Sequence, residues 1–186
     1  SAAKAGDAAW AAELHRLALL NQKQSDAADQ AFSQAIHLGN QSPDLLLAQA
    51  MAGRKPGKDP QFEKRMWQIL SDDPLYEDGY TVLFRYYAGA DVGSITDALK
   101  VLSTWIDDDP QSIAARVIEA NVAAQLGHSR QAEASLLRLF AEDPDSPDVL
   151  AGLDQFYTRT HRLGDFIAKL EDYRSKHPTD TEVVAK

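Results

Sequence analysis

Four prolines set the frame of this chain. Asp72-Asp73-Pro74, Asp108-Asp109-Pro110, Glu142-Asp143-Pro144 and Lys176-His177-Pro178 place proline at intervals of 36, 34 and 34 residues. Proline has no N–H to donate and fixes φ near −65°, so each is expected to stop one helix and start the next. Upstream of each runs an apolar triplet at i, i+4 and i+7, the stripe of a one-sided helix. The triplets read Phe62/Met66/Ile69, Ala98/Leu102/Trp105, Ala132/Leu136/Leu139 and Phe166/Leu170/Tyr173. A fifth copy, Ala28/Phe32/Ala35, precedes them with Asn40 in the proline position. Self-similarity at such a period marks a repeat architecture.

The stretch between each proline and the next triplet is helical in pattern as well. Tyr80, Leu83, Phe84 and Tyr87 form one apolar face, and Leu150, Leu153 and Tyr157 another. Each repeat is therefore a helix pair that cannot bury its apolar faces alone and must stack on its neighbours. The pattern predicts ten helices over 7–22, 25–38, 43–53, 59–71, 75–89, 94–107, 111–126, 129–141, 146–160 and 164–176. Ser25 and Ser94 stand where a side-chain oxygen can cap a free N–H. The aromatics Trp67, Trp105, Phe84, Tyr87 and Tyr157 fall at core spacing, while Trp10 precedes the first clear hairpin. Two turns are irregular: Ala88 to Gly93 carries two extra residues, and the turn from Gly53 to Pro60 is long.

The order of residue sizes resembles the tetratricopeptide repeat. In Ile113–Ser146, Ala120 stands where the first helix is approached closely, Gly127 at the turn, Ala132 at the helix crossing and Pro144 at the close. The signature Trp–Leu–Gly of the first helix is nowhere complete, and the repeat ending at Asn40 lacks its proline. The resemblance covers nearly the whole chain and implies an all-α fold, a right-handed α-solenoid of antiparallel helix pairs. It implies one array with repeats at about 7–42, 43–76, 77–112, 113–146 and 147–180, and residues 181–186 beginning a further helix. That last helix start, Glu182-Val183-Val184, reads as a cut from a longer bacterial array whose bare ends self-associate weakly.

Composition narrows the partners. Of 186 residues, 28 are acidic and 19 basic, a net charge of −9, so nucleic acid is not an expected partner. Gly53-Arg54-Lys55-Pro56-Gly57-Lys58 is the longest basic cluster and reads as a solvated turn. No apolar stretch approaches the roughly 20 residues of a membrane span, so no membrane insertion is expected. There is no cysteine, which removes disulfides and thiolate chemistry together. The five histidines (His15, His37, His128, His161, His177) lack the spacing of a zinc helix. Asp143-Pro144-Asp145-Ser146-Pro147-Asp148 lacks the glycine and distal glutamate of a calcium loop and reads as a helix-capping turn. The residues supply no nucleophile motif and no converging acid–base pair, so the reading is non-enzymatic, without metal or cofactor.

In tetratricopeptide arrays the first helix of each pair lines the concave surface. Carrying that register over assigns the groove to Asp78, Thr81 and Arg85, then Val117, Asn121 and Gln125, then Gln155 and Arg159. Arg85, Asn121 and Gln155 share one repeat position and make a polar ladder, with Asp78 near enough in sequence to neutralise Arg85. The family's carboxylate clamp needs lysine where Val117 stands, so carboxy-terminal chaperone tails are not expected partners. What the resemblance implies is a scaffold that binds a protein or peptide in its groove and assembles a complex. The alternative is a docking module of a bacterial envelope or exopolysaccharide-export machine, which would place the chain in the periplasm or envelope. An enzyme with a groove site is disfavoured.

Overall fold

A computed structural model describes residue 30 and residues 42–177 of the chain. Among the described residues there are eight helices and no strand: α1 (Pro43–Ala52), α2 (Pro60–Asp72), α3 (Glu77–Ala88), α4 (Ile95–Asp108), α5 (Ile113–Gln125), α6 (Ser129–Glu142), α7 (Pro147–Arg159) and α8 (Leu163–Lys176). They match the last eight helices expected from the periodicity to within two residues at each end. The helices expected over 7–22 and 25–38, with Ser25, Ala28/Phe32/Ala35, Trp10, His15 and His37, lie outside the described residues, as does the helix start at 182. The chain divides into two compact units, Ser1–Ser103 and Thr104–Lys186, the boundary falling within α4.

The prolines act differently from the simple expectation. Pro74, Pro110 and Pro144 lie in the turns two residues beyond the ends of α2, α4 and α6, so they stop helices without starting any. Starting falls to another set of residues. Ser42, Ser112 and Ser146 each accept the N–H three residues on, at 3.3, 3.2 and 3.4 Å. Asp59 caps α2 by accepting from Gln61 and Phe62 at 3.0 and 3.2 Å. Ser94 caps α4 as expected, accepting from the Asp97 N–H and donating to its carboxylate. Pro43, Pro60 and Pro147 occupy first-turn positions, where a missing N–H costs nothing.

A second periodicity hides in the turns between paired helices. Gly57, Gly93, Gly127 and His161 all adopt positive φ, at 75°, 62°, 92° and 57°. Their spacings are 36, 34 and 34, those of the prolines. The left-handed residue reverses the chain between helices, and the last copy alone bears a Cβ there.

In the first unit α2 packs between α1 and α3. Leu45, Phe62, Met66, Tyr80 and Leu83 are fully buried. Phe62 and Tyr86 meet with ring centroids 4.8 Å apart, and Tyr86 meets Tyr87 edge-on at 5.0 Å. In the second unit α5, α6 and α7 pack mutually and α8 packs on α7. Its core holds Ala132, Leu136, Leu139, Val149, Leu153, Phe156, Tyr157 and Phe166. Each such large side chain removed from water contributes roughly 1.5–3 kcal/mol. Of the aromatics expected in the core, Trp105, Tyr87 and Tyr157 are buried, whereas Trp67 and Phe84 are half-exposed. Of the expected triplets only the last thins out, with Phe166 buried but Leu170 and Tyr173 half-buried.

One polar lock ties α7 to its neighbours. Tyr157 is buried, yet its hydroxyl donates to Glu133 of α6 at 2.8 Å. The same carboxylate accepts two N–H groups of Arg162, at 2.7 and 3.2 Å, and the guanidinium lies 5.5 Å over the Tyr157 ring. A related lock holds the first unit, where Tyr86 donates to Glu63 at 3.0 Å and accepts the Asp59 N–H at 2.6 Å. Arg162, then the Tyr157 hydroxyl, hold the Glu133 carboxyl below its ordinary value of 4.5 against the opposing effect of burial.

These arrangements generate three expected outcomes. Ala132 is 1% exposed at a helix crossing, so Ala132→Trp overpacks it and costs about 1–3 kcal/mol; an unchanged melting temperature would refute the register. His161→Gly relieves the one side chain held at left-handed φ among the described residues and raises stability by roughly 0.5–1 kcal/mol, read by urea unfolding. Because the folded Glu133 pKa is depressed, its stabilisation is complete above the ordinary carboxylate range and is lost as pH falls through the folded value. The stability difference between wild type and Glu133→Gln is therefore flat near neutral pH and shrinks below about pH 4.5. A difference that grew on acidification would refute the lock.

Candidate functional site

The residues assigned to the groove sit on the first helix of each pair, and each compact unit positions its own. In the first unit α3 carries Asp78 and Arg85 exposed to solvent and Thr81 half-buried. Arg85 lies near the helix end, where a cation is favoured by the aligned peptide dipoles. The pairing of Arg85 with Asp78 does not form: among the described residues neither takes part in an ion pair. They stand seven residues apart, close to two full turns along α3.

In the second unit the register positions part company. On α5, Gln125 is exposed, but Val117 and Asn121 are 7% and 6% exposed. On α7, Gln155 is exposed and Arg159 half-buried. Asn121 is therefore no open rung of a polar ladder. Its side-chain nitrogen donates to the Val117 carbonyl at 3.2 Å and to the Gly152 carbonyl of α7 at 3.4 Å. Its Oδ1 is buried with no hydrogen-bond partner. Turning the amide over would aim that oxygen at two carbonyl oxygens, so the nitrogen belongs where it is.

The cause of this burial is on the facing helix. A Cβ on Gly152 would stand 2.4 Å from Val117 Cγ1 and 3.4 Å from Asn121 Nδ2. Only glycine lets α7 come this close to α5, and that approach covers Val117 and Asn121. Arg159 adds a strap by donating from Nη2 to the Asn121 backbone carbonyl at 3.3 Å. The structure thus brings together Val117, Asn121 and Arg159, with Gly152, which the register transfer did not single out. A glycine inside a helical pattern was the one sequence signal for such an approach.

What remains open on α7 is a row of small and polar side chains, Asp148, Ala151, Gln155 and Thr158. It can donate and accept hydrogen bonds along an extended chain. Burial pushes the Tyr87 phenol up to about 12, and burial together with the Glu133 hydrogen bond carries Tyr157 higher still. Among the described residues no group of three or more His, Asp or Glu could hold a metal ion. Nor is any described helix long and apolar enough to cross a membrane.

No family model matches the sequence, and no curated protein matches it either. Solved structures do. A thermophilic tetratricopeptide-repeat protein of Thermus thermophilus is 23% identical, with 95% of each chain covered and a TM-score of 0.57. A tetratricopeptide-repeat protein of Parabacteroides merdae is 14% identical, with a TM-score of 0.60 over 95% of this chain and 70% of its own. The eight helices and absence of strand among the described residues accord with these likenesses, and the fold of this chain is that of the tetratricopeptide-repeat proteins.

Proposed function

We propose that the chain is a protein-binding scaffold and that α7, a first helix of the second unit, receives an extended polypeptide segment. The observation that carries this reading is the open face of α7. Gln155 and Thr158 stand exposed beside Arg159, whose guanidinium uses one donor on the Asn121 carbonyl and keeps its orientation for a partner. A guanidinium so oriented loses less freedom on meeting a carbonyl or carboxylate than a free lysine would. Small neighbours such as Ala151 allow a polypeptide backbone to come close enough for hydrogen bonding. The acidic balance of the chain favours a protein partner over nucleic acid.

The buried state of Asn121 changes which residues test the reading. An Asn121 substitution disturbs the α5–α7 contact and confounds binding with folding. Gln155 and Arg159 are the informative pair, with Arg130 on the exposed side of α6 as control. A peptide ligand selected from a displayed library is expected to bind Gln155→Ala and Arg159→Ala more weakly by about 1–2 kcal/mol each, with Arg130→Ala unchanged. Equal losses from all three, measured by isothermal titration with melting temperatures held alike, would move the site elsewhere.

A further inference from the structure

The loop between α1 and α2 is the cationic exception in an acidic molecule. Residues 53–65 contain Arg54, Lys55, Lys58, Lys64 and Arg65 against Asp59 and Glu63, in a chain whose net charge is −9. Sequence alone would let the two carboxylates neutralise part of this run. The structure turns Asp59 inward and leaves Glu63 half-buried, with both carboxylates engaged in hydrogen bonds of the fold. Asp59 is 5% exposed, and its oxygens accept the N–H groups of Lys55 at 2.8 Å, Gln61 at 3.0 Å and Phe62 at 3.2 Å. Glu63 accepts the Tyr86 hydroxyl at 3.0 Å. The carboxylates hold the loop in shape while the cations face outward.

The cations also gather. Lys55, Lys58 and Arg65 are exposed. The Arg65 guanidinium lies 3.4 Å from where a Cβ on Gly53 would stand, which brings it against the backbone next to Arg54. Arg54 is laid 5.5 Å over the Tyr86 ring and makes only a long contact, 3.9 Å, with the exposed Asp91. Gly57, at φ 75°, lets the chain turn so that Lys55 and Lys58 flank it. The loop is longer than the three-residue turns joining α5 to α6 and α7 to α8, and the added residues are what carry the charge.

We propose that this loop is a docking surface for an acidic polypeptide segment, a short run of Asp and Glu. Two guanidinium groups favour carboxylates, which they can grip with paired hydrogen bonds, and two lysines add long-range attraction. A patch this small inside a negative field suits a short acidic stretch. A nucleic acid would need a longer basic stripe with stacking aromatics, and its remaining phosphates would meet the acidic surface. The loop belongs to the first unit, and its proposed role does not rest on the α7 face.

The test is fluorescence anisotropy with a labelled octaglutamate peptide on the whole chain. The parent is expected to bind it, weakening about tenfold between roughly 50 and 300 mM salt. Lys55→Glu with Lys58→Glu is expected to abolish binding at unchanged melting temperature, and the milder Lys55→Gln with Lys58→Gln to weaken it severalfold. Arg130→Glu with Arg138→Glu, an equal charge change on exposed α6 positions, should leave binding within about twofold of the parent. The proposal is overturned if octaglutamate does not bind, if the α6 variant loses as much, or if an RNA oligonucleotide of equal charge binds more tightly. It is equally overturned if the chain alone dimerises at low salt through this loop, since a second copy would then be the occupant.

Discussion

A helix with one apolar face can be stable here only by lying against another helix, and in the second unit that dependence converges on Tyr157. Its ring is fully buried, stacked on Phe166 at 5.4 Å and met edge-on by Phe156 at 5.2 Å. Its hydroxyl must then find a partner inside the packing, because a buried phenol without one costs about 1–3 kcal/mol. Glu133 supplies it from α6, and Arg162 at the start of α8 neutralises the glutamate. One ring therefore fixes three helices: α6 through its carboxylate, α7 through its own backbone and α8 through the arginine. Tyr86 plays the corresponding part in the first unit through Glu63 and Asp59, so the same solution is used twice with different residues.

The lock works only if the helices arrive at the right place, and the turns see to that. Where the intra-pair turn is three residues long, it leaves no slack, so the reversal must come from one residue at positive φ. Gly127 provides it without strain and His161 with some. The inter-pair turns use another device, a proline beyond the helix end and a serine that caps the next helix, as at Pro110 with Ser112 and Pro144 with Ser146. The two turn types have different chemistry because they face different problems. One must reverse the chain tightly, while the other must end one helix and satisfy the N–H groups of the next.

This division explains what could be read from the sequence. The apolar triplets and the proline period gave helix order and positions, since both rest on local rules that survive without tertiary context. The left-handed period Gly57, Gly93, Gly127, His161 was equally present, but its last member is not glycine, so glycine counting hides it. Tyr86 was not marked for the core because it lies beside the stripe of Tyr80, Leu83 and Tyr87, and its burial comes from Phe62 on another helix. The basic loop read as a solvated turn, and Lys55 and Lys58 are exposed there, but the partners of the neighbouring Asp59 and Glu63 could not be read from spacing. Their hydrogen bonds are tertiary facts.

The groove shows the same limit more sharply. Asn121 and Gln155 hold the same repeat position, 34 residues apart, on consecutive first helices. Position within the repeat sets the direction of a side chain, but access depends on what the next first helix places opposite it. Opposite Asn121 stands Gly152, and without a Cβ to hold it off α7 closes over the amide. Gln155 on α7 is exposed. Whether a first-helix position in a repeat of this kind is covered thus depends on the spacing to the neighbouring first helix as much as on its place in the repeat. The small residue that closes the spacing, here Gly152, is what turns the Asn121 amide from a surface group into part of the α5–α7 contact.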